Sequence, residues 1–445
     1  MRTAPSARTA HRPMHARALR HHRVARAVGM VLTAVLAFGV AGGATAALTL
    51  TGNIDSVDTD SLLATVDRPE AVAPDDPNAG SALNIVLMGS DDRSGENGNL
   101  GGVTEGARSD TTMVMHISAD RTRVELLSIP RDSTVDVPSC PTTGGTTTKP
   151  LYGTKFNAAF AQGVIGGGDV ASGALCAMTT IESLTDTRMD GFIVVDFAGF
   201  QKMIDALGGV QVCIPEEIYA PQADDLHLMP GAQTLDGETA LQYARARKGQ
   251  GLGDGSDLGR IGRQQELMAS LARTVLGKNM LTDSPALLRF LGAVTSSLTM
   301  SDDLASVQGL AGLAYSARNV RPDTITFMTV PNAYDPDNAA NVVWTDDADR
   351  VWENLRLDRP LDYDPDAPTP AATDGATADG AATDGTATDG TATDGTTVDD
   401  AAADDADAAP TGSETASPSP TPSPTETKKA GREAFTGADV TSVCG

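Results

Sequence analysis

Residues 107–133 read ARSDTTMVMHISADRTRVELLSIPRDS, and the fold turns on how this stretch is parsed. TTMVMHI and RVELLSI are short apolar runs rich in strand-forming residues, separated by the polar segment SADRT. Thr111–Ile117 and Arg123–Ile129 are therefore predicted to pair as a β-hairpin. A turn near Ala119–Asp120 sets position 110 opposite about position 130. Asp110, just before the first strand, and Arg131, just after the second, then leave the sheet at one edge.

Upstream, SALNIVLMG at 81–89 is a nearly continuous apolar run closed by glycine, the pattern of a buried strand. It opens into GSDDRSG, which carries Asp91 and Arg93. If Ile85–Met88 runs parallel to Arg123–Ile129, these two residues join Arg108, Asp110 and Arg131 beyond the carboxyl ends of the strands. Ligands of α/β sheets bind there. Two neighbouring aspartates, Asp91 and Asp110, repel unless a cation neutralises them. In an exported protein Mg²⁺ is the expected agent, a hard cation suited to carboxylate, water and phosphate oxygens. The alternative is that both simply cap turns and pair with nearby arginines.

Downstream, strand and helix patterns alternate. GALCAMTTIESLT, AGFQKMIDALGG, GETALQYA, RIGRQQELMASLARTVL, DDLASVQGLAGLAYSAR and DDADRVWENL read as helices, whereas GFIVVDF, VQVCI and TITFMTV read as strands. Interleaved elements with one hairpin predict a mixed-sheet α/β sandwich. The segment QYARARKGQGLGDGSDLGRIGRQQ at 242–265 is unusual in a chain of net charge −26. Asp257, Arg260, Arg263 and Gln264 are spaced to share one face of a helix beginning near Ser256, with Arg245 and Arg247 just upstream across a glycine-rich loop. A polar stripe of this kind is either a solvated face or an anion site, and arginine forks match phosphate oxygens bidentately. Together with Arg93, Arg108 and Arg131, these side chains suit a pyrophosphate accompanied by a metal, with charge on the leaving diphosphate offset by arginines. Asp257 is placed either to deprotonate an acceptor hydroxyl or to hold Arg260 or Arg263 in position.

The net charge of −26 argues against a nucleic-acid partner. Residues 1–27 are basic and lead into an uncharged apolar run at 28–50, long enough to span a bilayer. Arginines before it and acids after it orient the chain with its N-terminus cytoplasmic and its body outside, so the expected location is a single-pass membrane protein. A cleaved signal peptide is the rival reading, because ATAA offers a small-residue site. Residues 51–80 read as a polar linker and 81–361 as the folded, extracytoplasmic domain. The Thr/Asp/Gly/Pro-rich stretch 362–430 lacks the apolar side chains to fold and reads as a disordered spacer. Residues 431–445 regain apolar character and Cys444, and are expected to return to the domain. An even set of four cysteines in an exported chain suggests disulfides. Only His116 and His227 lie outside the basic head, which disfavours a histidine triad or a zinc centre.

The motifs NIVLMGSDDR, ARSDTTMVM, LLSIPRDS, KFNAAFAQG, GFIVVDFAGFQKMIDALGGVQV, LDGETALQYARAR and DLGRIGRQQ occur in this order over roughly 83–275. Together they resemble the LytR-CpsA-Psr family of envelope glycopolymer transferases, and the composition looks like actinobacterial members. The resemblance implies a transferase that moves a glycan from a polyprenyl-pyrophosphate carrier to peptidoglycan or another envelope acceptor. It implies Asp91 and Asp110 as Mg²⁺ ligands, and Arg93, Arg108, Arg131, Arg245, Arg247, Arg260, Arg263 and Gln264 as contacts on the pyrophosphate side. Lys155 and Asn157 fall in a matching motif, where a binding role and a structural one are both open. The extra acid Asp92 and the long loop after Pro138 depart from the commoner pattern. Two other functions compete: hydrolysis of the pyrophosphate-linked lipid at the same site, and a non-enzymatic lipid-binding envelope regulator. The expected disulfides are Cys140–Cys176 and Cys213–Cys444.

Overall fold

The computed structural model describes residues 54–71, 80–91, 107–253, 255–277, 292, 298–306, 309, 312–313, 319–366 and 428–439. The apolar span expected at 28–50 lies outside them, and no helix among the described residues is long and apolar enough to cross a membrane. The described residues of 54–363 and 428–439 belong to one compact unit, and 364–366 fall outside it.

An eight-stranded mixed sheet organises that unit. Its strands are β1 (Asp55–Val57), β2 (Leu83–Ser90), β3 (Ser109–Ile117), β4 (Val124–Ile129), β5 (Gly191–Val195), β6 (Leu298–Ser301), β7 (Ile325–Thr329) and β8 (Phe435–Thr436), arranged β1-β6-β5-β2-β3-β4-β7-β8. The predicted hairpin is β3–β4, antiparallel with Thr112 opposite Ile129, one residue from the expected register. β2 is antiparallel to β3, so β2 and β4 run the same way with β3 between them. Their carboxyl ends and the start of β3 therefore share one edge.

Period-2 alternation sends Val86, Met88, Val114, Leu127 and Ile129 to one face of the sheet and Met113 and Leu126 to the other. The first face is covered by α1 (Asn157–Gly167), α2 (Val170–Thr185) and a later helix at Asp346–Arg356. α1 and α2 touch backbone to backbone because of Gly163 and Gly173: a Cβ on Gly163 would lie 2.1 Å from Ser172 O. α2, α3 (Phe197–Ala206) and α4 (Gly237–Arg245) each begin at an aspartate, Asp169, Asp196 and Asp236, whose side chain accepts a backbone N–H of the first turn. Such a cap contributes about 1 kcal/mol.

The long helix α5 (Asp257–Gly277) covers the second face of the sheet. Its other side, through Leu267 and Leu271, packs into a separate core built on the hairpin Val210–Ile214/Gly231–Leu235 and on Ile204 and Tyr243. The helix is thus buried from two sides, and its polar stripe is not a solvated face: Arg260 is 2% exposed.

One boundary differs from expectation. The linker expected over 51–80 is in part domain: β1 joins the sheet edge, Leu63 is buried, and Arg68 forks onto the buried Glu182 of α2, with Nη2 to Oε1 at 2.7 Å. Short polar-flanked elements gave no periodic signal there. At the other end, β8 pairs with β7, and Phe435 stacks on Phe327 with ring centroids 5.1 Å apart. A Cβ on Gly262 of α5 would lie 2.5 Å from Ala430 O, so the C-terminal segment rides directly on that helix. Cys140 is bonded to Cys176, and Cys213 is disulfide-bonded as well; Cys444 lies outside the described residues.

Candidate active site at the carboxyl ends of the strands

Three chain segments meet at the shared edge. Where β2 ends, Asp91 N donates to Arg108 O at 3.0 Å, and Arg108 N donates to Asp91 Oδ1 at 2.5 Å. Asp110 opens β3. β4 stops at Pro130, which has no N–H for the ladder, and the turn closed by Ser133 N to Pro130 O carries Arg131 and Asp132. From the opposite side the first turn of α5 contributes Asp257 and Arg260.

These side chains form one network. Arg131 Nη1 donates to Asp110 Oδ1 at 2.5 Å, and Arg131 Nε stands 3.3 Å from Asp257 Oδ1 and 3.7 Å from Asp132 Oδ2. Arg260 Nη2 donates to Asp257 Oδ1 and, at 3.1 Å, to Asp110 O. Lys155 Nζ closes the outer side on Asp132 Oδ1 at 2.6 Å and on Ala340 O at 3.2 Å. Burial opposes charge on Asp110, but Arg260 and Arg131 outweigh it and hold the carboxyl below the usual aspartate value. At Asp257 burial wins over the same two arginines and raises the pKa. Burial also lowers Arg260, whereas Asp110 and Asp257 more than offset it at Arg131 and raise that one.

The remaining expected residues divide. Arg247 is exposed, lines the pocket beside Asp257, and its charge reaches Asp110 and Asp257. The Arg245 guanidinium lies 4.5 Å over the Phe197 ring. Arg263 engages backbone carbonyls of the loop after α4, Ala246 O and Leu252 O, and Gln264 Nε2 donates to Ala244 O. Arg263 thus braces that loop and Gln264 the end of α4, rather than the aspartates. Asn157 sits at the start of α1, its N–H donating to Arg131 O at 3.2 Å. Arg93 lies outside the described residues. Residues that sequence reasoning missed include Asn341 and Tyr334, which come from the hairpin Asn332–Tyr334/Val342–Trp344. Nothing local in NAYDPDNAANVVW marks them; only the fold brings that hairpin to the site.

Several polar atoms here are buried with no hydrogen-bond partner: Arg131 Nε, Arg260 Nε, Arg263 Nε, Asp257 Oδ2 and Asn341 Oδ1. Each such atom costs about 1–3 kcal/mol, so a cluster of them marks a place that a polar ligand completes. The donors suit an anion and the acceptors suit hydroxyls. No group of three or more His, Cys, Asp or Glu side chains able to hold a metal occurs among the described residues. Asp91 and Asp110, at adjoining strand ends, are carboxylates that could share a cation with a bound phosphate, a pattern typical of Mg²⁺.

Residues 47–357 match the LytR_cpsA_psr family. The chain is similar to the cell wall biosynthesis protein LcpA of Corynebacterium glutamicum, at 30% identity over 272 residues, covering 57% of this chain and 50% of that protein. It is similar to the probable cell wall biosynthesis protein LcpB of the same organism, at 32% over 288 residues, covering 62% and 61%. A polyisoprenyl-teichoic acid–peptidoglycan teichoic acid transferase, TagU of Oceanobacillus iheyensis, is 29% identical over 238 residues, covering 54% and 64%. The chain thus spans one half to under two thirds of the length of these relatives. Among solved structures, Bacillus subtilis TagV aligns with a TM-score of 0.46 at 24% identity, covering 63% of this chain and 98% of that one. The ordered motifs, the Asp–Arg edge they build and a match spanning residues 47–357 lead to one conclusion: the chain belongs to the LytR_cpsA_psr family.

Proposed function

We propose that this chain is a cell-envelope phosphotransferase that moves a glycopolymer from a polyprenyl-pyrophosphate carrier to peptidoglycan or another envelope hydroxyl. The observation that carries the reading is the buried network Asp110–Arg131–Asp257–Arg260, with Arg260 Nε and Asp257 Oδ2 left without a hydrogen-bond partner. Family membership and the names of the relatives, cell wall biosynthesis proteins and a teichoic acid transferase, support it.

In this reading the acceptor hydroxyl oxygen attacks the phosphorus that bears the glycan. Its proton passes to Asp257 Oδ2, which burial makes a better base than an ordinary aspartate. The bond from that phosphorus to the bridging oxygen breaks, and polyprenyl phosphate leaves with the electron pair. Arg131 and Arg260, fixed before substrate arrives, offset the charge that develops on the diphosphate. Arg108, Arg247 and Arg245 would steer the anionic donor from outside, together with Arg93. Lys155 fixes Asp132, and Asn157, Arg263 and Gln264 hold the surrounding backbone.

Asp91 and Asp110 fit a shared Mg²⁺ in chemistry: two carboxylates at adjoining strand ends, Asp110 held ionised by its arginines. Bound there, the ion would neutralise diphosphate oxygens. We further propose that the chain works at the membrane, anchored through the apolar run at 28–50 with the catalytic domain outside. The test is to incubate the full chain with Mg²⁺, a polyprenyl-pyrophosphate glycan and peptidoglycan fragments, and to weigh the products. A covalent glycan–peptidoglycan adduct supports transfer. Free glycan phosphate alone supports the hydrolase, and bound but unconsumed lipid supports the non-enzymatic regulator.

A further inference from the structure

Beside the arginine network lies a pocket of about 290 Å³, walled by Pro130, Asp132, Arg247, Asp257, Tyr334 and Asn341. Its polar character differs from that of the network. Asp257 and Asn341 are among its lining residues, and each has one side-chain oxygen, Asp257 Oδ2 and Asn341 Oδ1, buried without a hydrogen-bond partner. The Asn341 side chain cannot simply turn away, because Asn341 Nδ2 donates to Thr134 Oγ1 at 3.1 Å, and the residue is 8% exposed. On the open side stands Tyr334, 59% exposed, a large aromatic that the fold leaves uncovered.

The hairpin bearing Tyr334 and Asn341 is not loose. Val342 N donates to Asp132 O at 3.1 Å, Thr134 Oγ1 donates to Asp335 Oδ2 at 3.0 Å, and Trp344 Nε1 donates to Ser133 Oγ at 3.1 Å. Lys155 Nζ adds a bond to Ala340 O. The hairpin is therefore clamped to the turn that carries Arg131, and the pocket is preformed rather than assembled on binding.

Unfilled acceptors call for donors, and an exposed aromatic ring beside them calls for an apolar face. One ligand class offers both at once: a neutral pyranose, with hydroxyl groups around its rim and C–H bonds across its face. The volume lies at the small end of the roughly 300–1,000 Å³ typical of ligand pockets, which suits one ring and not a chain.

We propose that this pocket binds the sugar ring carrying the acceptor hydroxyl, with Asn341 and Asp257 receiving its hydroxyls and Tyr334 stacking on its face. The assignment deepens the proposed function and rests on it for the word acceptor; the sugar site itself does not. Asp257 Oδ1 is already held by Arg260 and approached by Arg131, which leaves Oδ2 without a hydrogen-bond partner as the oxygen to accept from a hydroxyl.

The test uses the full chain and two readouts. The first is binding of a soluble peptidoglycan disaccharide, followed by saturation-transfer NMR without any donor. Wild type and Tyr334→Phe should bind alike, whereas Tyr334→Ala and Asn341→Leu should weaken binding about tenfold or more. The second is the KM for peptidoglycan fragments and for the lipid donor in the transfer reaction. Tyr334→Ala should raise the acceptor KM about tenfold and change the donor KM far less. Disaccharide binding lost in Tyr334→Ala, even if no transfer is seen, keeps the sugar site and removes only the transfer reading. Unaltered disaccharide binding in both variants overturns the proposal, and so does a rise confined to the donor KM, which would give the pocket to the donor's sugar.

Discussion

Arg131 stands between two aspartates that approach it from different elements: Asp110, at the start of a central strand, and Asp257, in the first turn of the helix across the sheet edge. One guanidinium thereby locks the relative position of a metal-ligand candidate and a base candidate. Its fork geometry does this; a lysine would supply one point of contact.

Arg131→Lys should therefore keep the charge and lose the bridge. The expected outcome is a fall in kcat/KM for transfer of about 10²-fold, the scale of losing one aligned donor in a reaction centre, with a Tm close to wild type. Steady-state kinetics on the folded variant checks it. A lysine variant with full activity would remove the bridge from the account.

The two aspartates should lose their charge on opposite sides of the ordinary aspartate value as pH falls. Asp257, raised by burial, must be ionised to accept a proton, so transfer should decline as pH falls through a value above the ordinary 3.8. Asp257→Asn should lose that acid limb along with most of the rate. Asp110 is lowered, so its contribution to stability is present above 3.8 and disappears as pH falls through its depressed value. The Tm gap between wild type and Asp110→Asn should accordingly shrink in acid; a gap that widens there would contradict the ion pairing.

The C-terminal strand should matter for a helix it does not precede. Phe435 is 1% exposed and stacked on Phe327, and Gly431 N donates to Gln265 Oε1 on α5 at 2.9 Å. Phe435→Ala should destabilise the unit by about 3–5 kcal/mol, read by denaturant unfolding. A change below about 1 kcal/mol, within the range of surface substitutions, would mean the segment is dispensable.

Cys140 and Cys176, both fully buried, close a loop with a sequence separation of 36. Replacing both with serine should cost about 3–4 kcal/mol. Thermal melts with and without reductant check this: reductant should lower the Tm of wild type far more than that of the variant. An equal response would place the reducible contribution elsewhere.

Much of this arrangement was legible in the sequence, for physical reasons. The hairpin 111–129 announces itself because strand alternation has a short period and its turn is polar, and that alone brings Asp110 and Arg131 to one edge. The run of arginines at 245–263 is equally visible, yet its division of labour is not. Arg260 and Arg263 sit on one helix face by spacing, but only the tertiary loop decides that Arg263 binds Ala246 O while Arg260 binds Asp257. Tyr334 and Asn341 carry no local signal, because their role depends on a hairpin clamped to residues two hundred positions away, as with Thr134 and Asp335, 201 apart. Arg68 was hidden in what looks like a linker, since a buried ion pair leaves no periodicity.

The fate of the donor glycan in one reaction, with and without peptidoglycan fragments, separates transfer from release. Adding acceptor should divert most glycan phosphate into a covalent peptidoglycan adduct, and Asp257→Asn should abolish this adduct in a folded protein. Glycan released only as free phosphate at the same rate with or without acceptor would contradict transfer.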